Sequence, residues 1–307
     1  MQRTSAVVIG IAVLVLAAVI GFLLFSGPGE ALGASPSAAP SSSASASASV
    51  AADLLERRWT VLYVGTDANE RREANGEAVN TDALMLVSLS ADQSELTLVS
   101  LPRDTVDLPL ADGGTYDGKI NALYLERGLD ELVGAMETLY GVPIDAHVVL
   151  DMDDFARLVD AVGGVDVAPD APITDPIVDL DLAAGPQTLD PSQALGYVRT
   201  RIDKDYGRMA RQQEVLVSLM ERLVDPEADI DLGPLLDGLE SLETDLPLDQ
   251  LPTLVELARR AAGAELNEVL VEPPLIAFEG DRNDGRGYVL EADVEAIRSE
   301  VQGLIGE

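Results

Sequence analysis

From Ala6 to Phe25 the chain reads AVVIGIAVLVLAAVIGFLLF, 20 residues without a charge. As a helix rising about 1.5 Å per residue, such a run is roughly 30 Å long, the thickness of a bilayer's hydrocarbon core. In lipid every backbone N–H and C=O has to be satisfied inside the segment, so a lone apolar run of this length is a helix or nothing. The sequence predicts a transmembrane helix over 6–25, with residues 1–5 as a cytoplasmic N-terminus. Arg3 and the terminal amine precede the run and Glu30 follows it, which sets the positive end inside. A cleaved signal peptide is the competing reading, because Ala31 to Ala34 (ALGA) offers small residues for a protease. The run is longer than the roughly 7 to 15 residues of a signal core, which favours an uncleaved anchor. The chain is expected in the cell membrane as a single-pass protein, with its domain on the extracytoplasmic face.

Residues 26–58 form a linker on composition. Ser26 to Ala52 is rich in Ser, Ala, Pro and Gly, with neither periodicity nor the apolar bulk to offset the entropy of ordering. As a flexible coil its ends lie roughly 30 Å apart, which keeps the next segment near the membrane. Residues 1–58 hold three basic and three acidic groups, so 17 basic and 51 acidic groups fall in 59–307. The whole charge of -34 belongs to that exported part. Duplex nucleic acid is excluded as a partner, since binding it rests on neutralising phosphates with Lys and Arg. The same acidity repels anionic lipid, so charge alone will not dock this part on a membrane. With Cys 0 and His147 as the one histidine, thiolate chemistry, disulfide scaffolds and multi-histidine zinc sites are excluded.

Within 59–307, Trp59 to Val64, Ala83 to Leu89 and Glu95 to Leu101 are aliphatic and β-branched strand candidates, the last two joined by a polar turn as a hairpin. Apolar residues at helical spacing mark helices over Gly128 to Tyr140 and Met152 to Val162, with a strand at His147 to Leu150 between them. Asp190-Pro191 starts a short helix, and Arg208 to Val224 is an amphipathic one that Pro226 ends. A helix near Leu248 to Ala262, a strand at Glu268 to Val271 and a helix over Glu291 to Ile305 complete the series. The fold class is α/β, a single domain over 59–307 with a mixed central sheet flanked by helices.

Residues 199–211 (RTRIDKDYGRMAR) carry five of the 17 cations, Arg199, Arg201, Lys204, Arg208 and Arg211, in an otherwise acidic domain. In an extended stretch Arg199 and Arg201 would share one face, while Arg208, Arg211 and Gln212 share a helix face at i, i+3 and i+4. Such a fork of guanidiniums suits a phosphate or pyrophosphate, although pairing with the abundant carboxylates is an equal alternative. Arg103 in LPRDT and Lys119 in DGKIN are single cations, and Asp67 in VGTDAN and Asp82 in NTDAL lie beside strand ends. Carboxylates placed beside bound phosphate oxygens suit Mg²⁺, yet Asp is also the usual cap or turn residue at such positions. His147, alone at the start of a strand, reads as structural.

The ordered set VGTDAN, NTDALMLVSL, LVSLPRDT, KINALY, LVDAVGGVDV, QALGYVRTR and DYGRMARQQEVL resembles the LytR-CpsA-Psr family of bacterial cell-wall enzymes. The resemblance runs from about Trp59 to Val224, with a weaker tail over 244–260. It implies a mixed sheet with an apolar pocket for a polyprenyl tail. It also implies Mg-dependent transfer of a glycopolymer from a polyprenyl-pyrophosphate carrier to a peptidoglycan hydroxyl. By motif position Arg103, Arg199 and Arg201 would grip the pyrophosphate, Lys119, Arg208 and Gln212 would support them, and Asp67 and Asp82 would fall at the metal-associated acids. Asn80 stands where the family usually has Arg, so that contact is missing or comes from Arg71 or Arg72. A lipid-pyrophosphate hydrolase, and a non-catalytic regulatory protein that binds polyprenyl phosphate, are the alternative functions. The sequence does not choose a general base.

Overall fold

The computed structural model describes residues 52–76, 79–225, 230–231, 242–247, 250–261 and 263–306. The expected membrane helix at 6–25 and the linker as far as residue 51 lie outside the described residues. Among those described, no helix is long and apolar enough to cross a membrane.

Strand β1 (Trp59–Thr66) is nearly all apolar because it is covered on both faces. Its side chains alternate between two cores. Trp59 and Val61 enter one, and Leu62 and Val64 enter the other. β2 (Thr81–Leu89) pairs antiparallel with β1, Trp59 opposite Leu89 and Gly65 opposite Ala83. β3 (Glu95–Ser100) closes the expected hairpin on β2 through a turn in which Gln93 adopts φ 58. β4 (Ala146–Leu150) runs parallel to β1, β5 (Glu243–Thr244) lies antiparallel outside β4, and β6 (Glu265–Leu270) runs parallel to β3. The sheet is therefore mixed, in the order β5-β4-β1-β2-β3-β6.

One face carries helices α1 (Ile120–Arg127), α2 (Leu129–Tyr140) and, from the C-terminal end, α7 (Val294–Ile305). The other carries α3 (Met152–Ala161), α4 (Pro191–Arg199), α5 (Lys204–Val224) and α6 (Leu251–Ala261). α4 begins with a capping box, Asp190 accepting from the Gln193 backbone N–H while the Gln193 side chain accepts from that of Asp190, with Pro191 at the first turn. α5 is tied to the sheet by buried Gln213, whose Nε2 donates to Ser100 Oγ at 2.9 Å and to the Val269 carbonyl at 3.3 Å.

Four expectations are corrected. The α5 helix starts at Lys204, one turn before Arg208, and the last sheet strand is Glu265–Leu270. Glu291 does not open the final helix. It belongs to strand β8 (Tyr288–Ala292), which pairs with β7 (Ile276–Asp281) and, in parallel, with Thr105–Val106. Strand pairing takes the chain up to Ala292, and the helix begins only where the Asp293 side chain caps the Ala296 N–H at 3.0 Å. Finally, residues 52–58, placed with the linker on composition, join the folded part. Leu55 is in the core, the Trp59 indole donates to the Leu54 carbonyl at 2.8 Å, and Arg57 lies 4.1 Å over the Trp59 ring.

Candidate functional site

Between the sheet and helices α3, α4 and α5 a cleft opens, with about 650 Å³ of unfilled space including its mouth. Its floor is Gly65 and Ala83, a directly opposed pair on β1 and β2. A Cβ on residue 65 would stand 3.0 Å from that of Ala83, so the glycine keeps the floor low. The walls are apolar, among them Leu150, Phe155, Leu195, Val198, Leu216 and Leu219. The polar residues at the mouth include Asp82, Asp151, Arg199 and Gln212.

The LPRDT loop sits where β3 ends. Thr105 Oγ1 donates to the Pro102 carbonyl at 2.6 Å, and the Asn121 N–H at the start of α1 donates to the Arg103 carbonyl at 3.1 Å. The loop so held sends the Arg103 guanidinium to Asp82 Oδ1, an ion pair across the end of the sheet. Lys119, the residue before α1, turns back to Asp104 Oδ1 at 2.9 Å. From α5, Arg208 is buried at 2% exposure and reaches Asp205 Oδ2 at 3.4 Å. Burial lowers the Arg208 pKa and raises that of Asp205, which also feels Arg208, Asp104, Arg103 and Asp82. Those five groups form one electrostatic cluster. Gln212, one turn on from Arg208, donates to the Val198 carbonyl at 3.2 Å and lies 3.5 Å from that of Asp82.

Donor capacity in this cluster exceeds what the protein uses. The Nε–H groups of both Arg103 and Arg208 are buried without a hydrogen-bond partner among the described residues. Arg199, half-buried at the cleft mouth as the last residue of α4, makes neither a hydrogen bond nor an ion pair with any of them through its side chain. A buried donor without a partner costs about 1–3 kcal/mol, so these two guanidiniums, together with the unpaired Arg199 on the cleft that Asp82 also lines, point to an anion that accepts several bonds. Bidentate phosphate oxygens meet that description.

The cationic segment 199–211 does not act as one fork. Arg199 is helical, not extended, because the capping-box helix carries through it, and Arg201 is exposed on the turn beyond Thr200. Arg199 faces the apolar cleft, whereas Arg201 lines a separate depression and lies 3.6 Å from Asp205. Arg211 is structural. Its guanidinium is spent on the Tyr197 and Thr200 carbonyls at 3.0 and 2.7 Å and on Asp203 at 2.6 and 2.8 Å, which fastens α4 to α5.

Asp67 is not among the cleft-lining residues. It is buried at the end of β1, taking the Arg72 guanidinium at 2.6 Å and the Asn80 backbone N–H at 2.6 Å. The short helical turn Glu70–Ala74 thus brings Arg72 back to the acid beside Asn80, while Arg71 is exposed. His147 pairs with Asp245, its Nδ1 3.1 Å from Oδ2, away from the cluster. Asp104, Asp151 and Asp205 are site residues that the sequence pattern does not single out. PRDT and DYGR contain the first and last of them, but as acids in a chain whose Asp and Glu number 54 they carry no signal of their own.

Oxygen donors for a hard cation are present in Asp67 and Asp82, and Asp82 keeps Oδ2 without a hydrogen bond among the described residues. Among those residues no cluster of three or more His, Asp or Glu is arranged to hold a metal by itself. Mg²⁺ is commonly held by one or two carboxylates completed by phosphate oxygens, so Asp82 fits that ion only alongside a phosphate ligand, and Asp67, outside the cleft, would have to release Arg72 to join it.

The LytR_cpsA_psr family model matches residues 34–299. The chain is 38% identical over 149 residues to a probable cell wall biosynthesis protein LcpB of Corynebacterium glutamicum, a match covering 48% of this chain and 35% of that one. To the polyisoprenyl-teichoic acid–peptidoglycan teichoic acid transferase TagU of Halalkalibacterium halodurans it is 30% identical over 250 residues, covering 80% and 77%. It spans less than two thirds of the length of the first relatives it matches. Among solved structures the fold is shared with TagT of Bacillus subtilis carrying octaprenyl pyrophosphate, at a TM-score of 0.60, 22% identity and coverage of 83% and 93%.

Proposed function

The chain belongs to the LytR_cpsA_psr family, and from that premise we propose that it transfers a glycopolymer from a polyprenyl-pyrophosphate carrier to a hydroxyl of peptidoglycan. The observation that carries the reading is an apolar cleft whose lining includes the unpaired Arg199 guanidinium and Asp82, the acid that pairs with Arg103, while Arg103 and Arg208 in the adjoining cluster each keep an unsatisfied Nε–H among the described residues. One site thereby offers an apolar slot for a prenyl tail and cationic donors for the pyrophosphate. The names of the relatives, which include a polyisoprenyl-teichoic acid transferase, support the same pairing of lipid carrier and wall acceptor.

In this scheme Leu195, Val198 and Leu216 enclose the prenyl chain, and Arg199, Gln212 and Arg103 meet the pyrophosphate as it leaves the cleft. The acceptor oxygen bonds to the sugar-side phosphorus, and the bond from that phosphorus to the bridging oxygen breaks. Polyprenyl phosphate departs with both electrons of that bond. Charge on the transferring group is met by half-buried Arg103 and by Arg208, buried where water screens it little. The acceptor's proton passes to Asp205, whose carboxylate is made more basic by burial and belongs to the cluster. Mg²⁺, when bound through Asp67 and Asp82, would neutralise phosphate charge. Arg201 and Lys119 act at longer range, Lys119 by holding Asp104 and Arg201 by flanking Asp205. The apolar run at 6–25, serving as a membrane anchor in this scheme, would hold the site on the extracytoplasmic side, where the acceptor lies.

The test supplies the full chain in detergent micelles with a polyprenyl-pyrophosphate-linked glycopolymer and soluble peptidoglycan strands. A covalent glycopolymer–peptidoglycan adduct is the expected product. Free glycopolymer phosphate as sole product would instead identify a hydrolase, and donor binding without turnover a regulatory lipid-binding protein.

A further inference from the structure

A second depression lies beside the cluster and shares no lining residue with the apolar cleft. Asp104, Arg201, Asp205, Tyr206, Glu279 and Tyr288 are among the residues that line it, with about 1040 Å³ of unfilled space including its mouth. The Arg103–Asp82 and Arg208–Asp205 pairs stand between the two openings, since Asp82 lines the first and Asp205 the second. Its outer wall is the β7–β8 hairpin.

The chain has 7 tyrosines and one tryptophan, so two tyrosines at one depression are a local concentration of a scarce residue. Tyr288 is 48% exposed, one of the few large apolar side chains left open to solvent among the described residues. Both phenols donate to Glu279, Tyr206 to Oε2 at 3.1 Å and Tyr288 to Oε1, and Lys204 Nζ lies 3.6 Å from Oε1. Each ring is therefore fixed in place by its hydroxyl, Tyr206 packed partly against the core and Tyr288 open to solvent. The hydrogen bond from Tyr288 holds the Glu279 carboxyl below its ordinary value, and partial burial with that same bond pushes the Tyr288 phenol up to about 12, so the pair keeps its form across neutral pH. A fixed, open aromatic ring bordered by carboxylates and an ammonium group suits a sugar ring, with C–H bonds on its faces and hydroxyls at its edge.

We propose that this depression is the subsite for the acceptor glycan, the aminosugar strand whose hydroxyl attacks the phosphorus. The inference rests on the transfer reaction proposed above and adds which surface holds its second substrate. In phosphoryl transfer the attacking and leaving oxygens are roughly in line through phosphorus. The leaving polyprenyl phosphate is held on the cleft side, so the attacking hydroxyl comes from the side away from the cleft, where this depression and Asp205 lie.

Solubilised peptidoglycan glycan strands, free of lipid, are titrated into the full chain in detergent micelles by calorimetry, and steady-state transfer is measured alongside. Tyr288→Ala is expected to weaken strand binding roughly tenfold, the loss that truncating an aromatic anchor typically produces. The acceptor KM should rise in step, while donor KM and the melting temperature stay unchanged. Glu279→Gln should give a smaller loss of the same kind, because it loosens both rings without removing them. Unaltered strand affinity in Tyr288→Ala overturns the assignment, and a rise confined to donor KM reassigns the depression to the donor's own sugars. If no adduct forms with any acceptor yet strands still bind in a Tyr288-dependent way, the transfer reading fails and the glycan subsite stands.

Discussion

At the level of single residues, the division between cations that are spent and cations that are free decides what each substitution should do. Arg199→Ala removes a guanidinium that supports no other described part of the protein, so transfer should fall by roughly 10³ to 10⁵ with little change in melting temperature. Arg222→Ala on the α5 helix, where the side chain pairs with exposed Asp166, should leave turnover within about twofold, since such surface pairs contribute little. Equal losses in the two would assign Arg199 to structure. Arg72 and Arg71 separate just as sharply. Arg72→Ala deprives buried Asp67 of a charge partner and is expected to lower both stability and donor affinity, whereas exposed Arg71→Ala should be silent in thermal melts and donor titrations. Asp205 ties the reaction to pH. A base works deprotonated, and burial raises this carboxyl, with Arg208 and Arg103 pulling it down and Asp104 and Asp82 pushing it up. Activity should therefore fall off with decreasing pH earlier than for an ordinary carboxylate, and the fall should disappear from the much lower rates of Asp205→Asn. A pH–rate profile of both proteins reads this directly, and an unchanged acidic limb in the variant would remove Asp205 from the reaction.

Among elements, α4 and α5 govern the site, and their junction shows why. Asp203 precedes α5 without capping it because its carboxylate reaches to Arg211, passing over Gly207, where a Cβ would collide with that carboxylate. The tie fixes the end of α4, and with it Arg199, against the start of α5, which carries Asp205 and Arg208. Across the cleft the same two helices supply Leu195 and Leu216 opposite the Gly65–Ala83 floor. Filling that space should exclude a prenyl chain without opening the core, because Leu195 faces the cleft and is only half-buried. Leu195→Trp is expected to abolish co-purification of polyprenyl phosphates, read by mass spectrometry, at a cost of no more than about 1–3 kcal/mol in stability. Retention of the lipid in this variant would show that the prenyl chain lies elsewhere.

For the molecule as a whole, charge and anchorage act together. A net charge of -34 keeps the folded part off anionic lipid, so the helix proposed at 6–25 has to supply attachment and leave the cleft to extract its lipid from a carrier nearby. Protease added outside intact protoplasts should cut within residues 26–52 and release the remainder, and full protection would reverse the proposed orientation. How much of this is legible in the sequence depends on the range of the interactions concerned. Runs of apolar residues and short turn signals are local, so β1, the β2–β3 hairpin and helices α2, α3 and α4 can be read off directly, as can the motif set that leads to the family. The Asp67, Asp82, Arg103 and Arg208 positions are likewise visible as residues of those motifs. Their partners are not. Which guanidinium or phenol pairs with which carboxylate depends on contacts such as Arg103 with Asp82 across 21 residues and Tyr206 with Glu279 across 73. In a chain with 54 acids, composition offers every arginine the same choice. The β7–β8 hairpin is hidden for a related reason, since its strands bury only Ile276, Val289 and Leu290, and their pairing with Thr105–Val106 is set by the chain's return to that edge. The sequence alone determined a membrane-length apolar run, an α/β class and the residue types of a phosphate site, because those arise from local pattern. Only the tertiary structure decided that Arg211 is fully occupied while Arg199 is free, because that depends on which carbonyls and carboxylates the packing of α4 on α5 brings within reach.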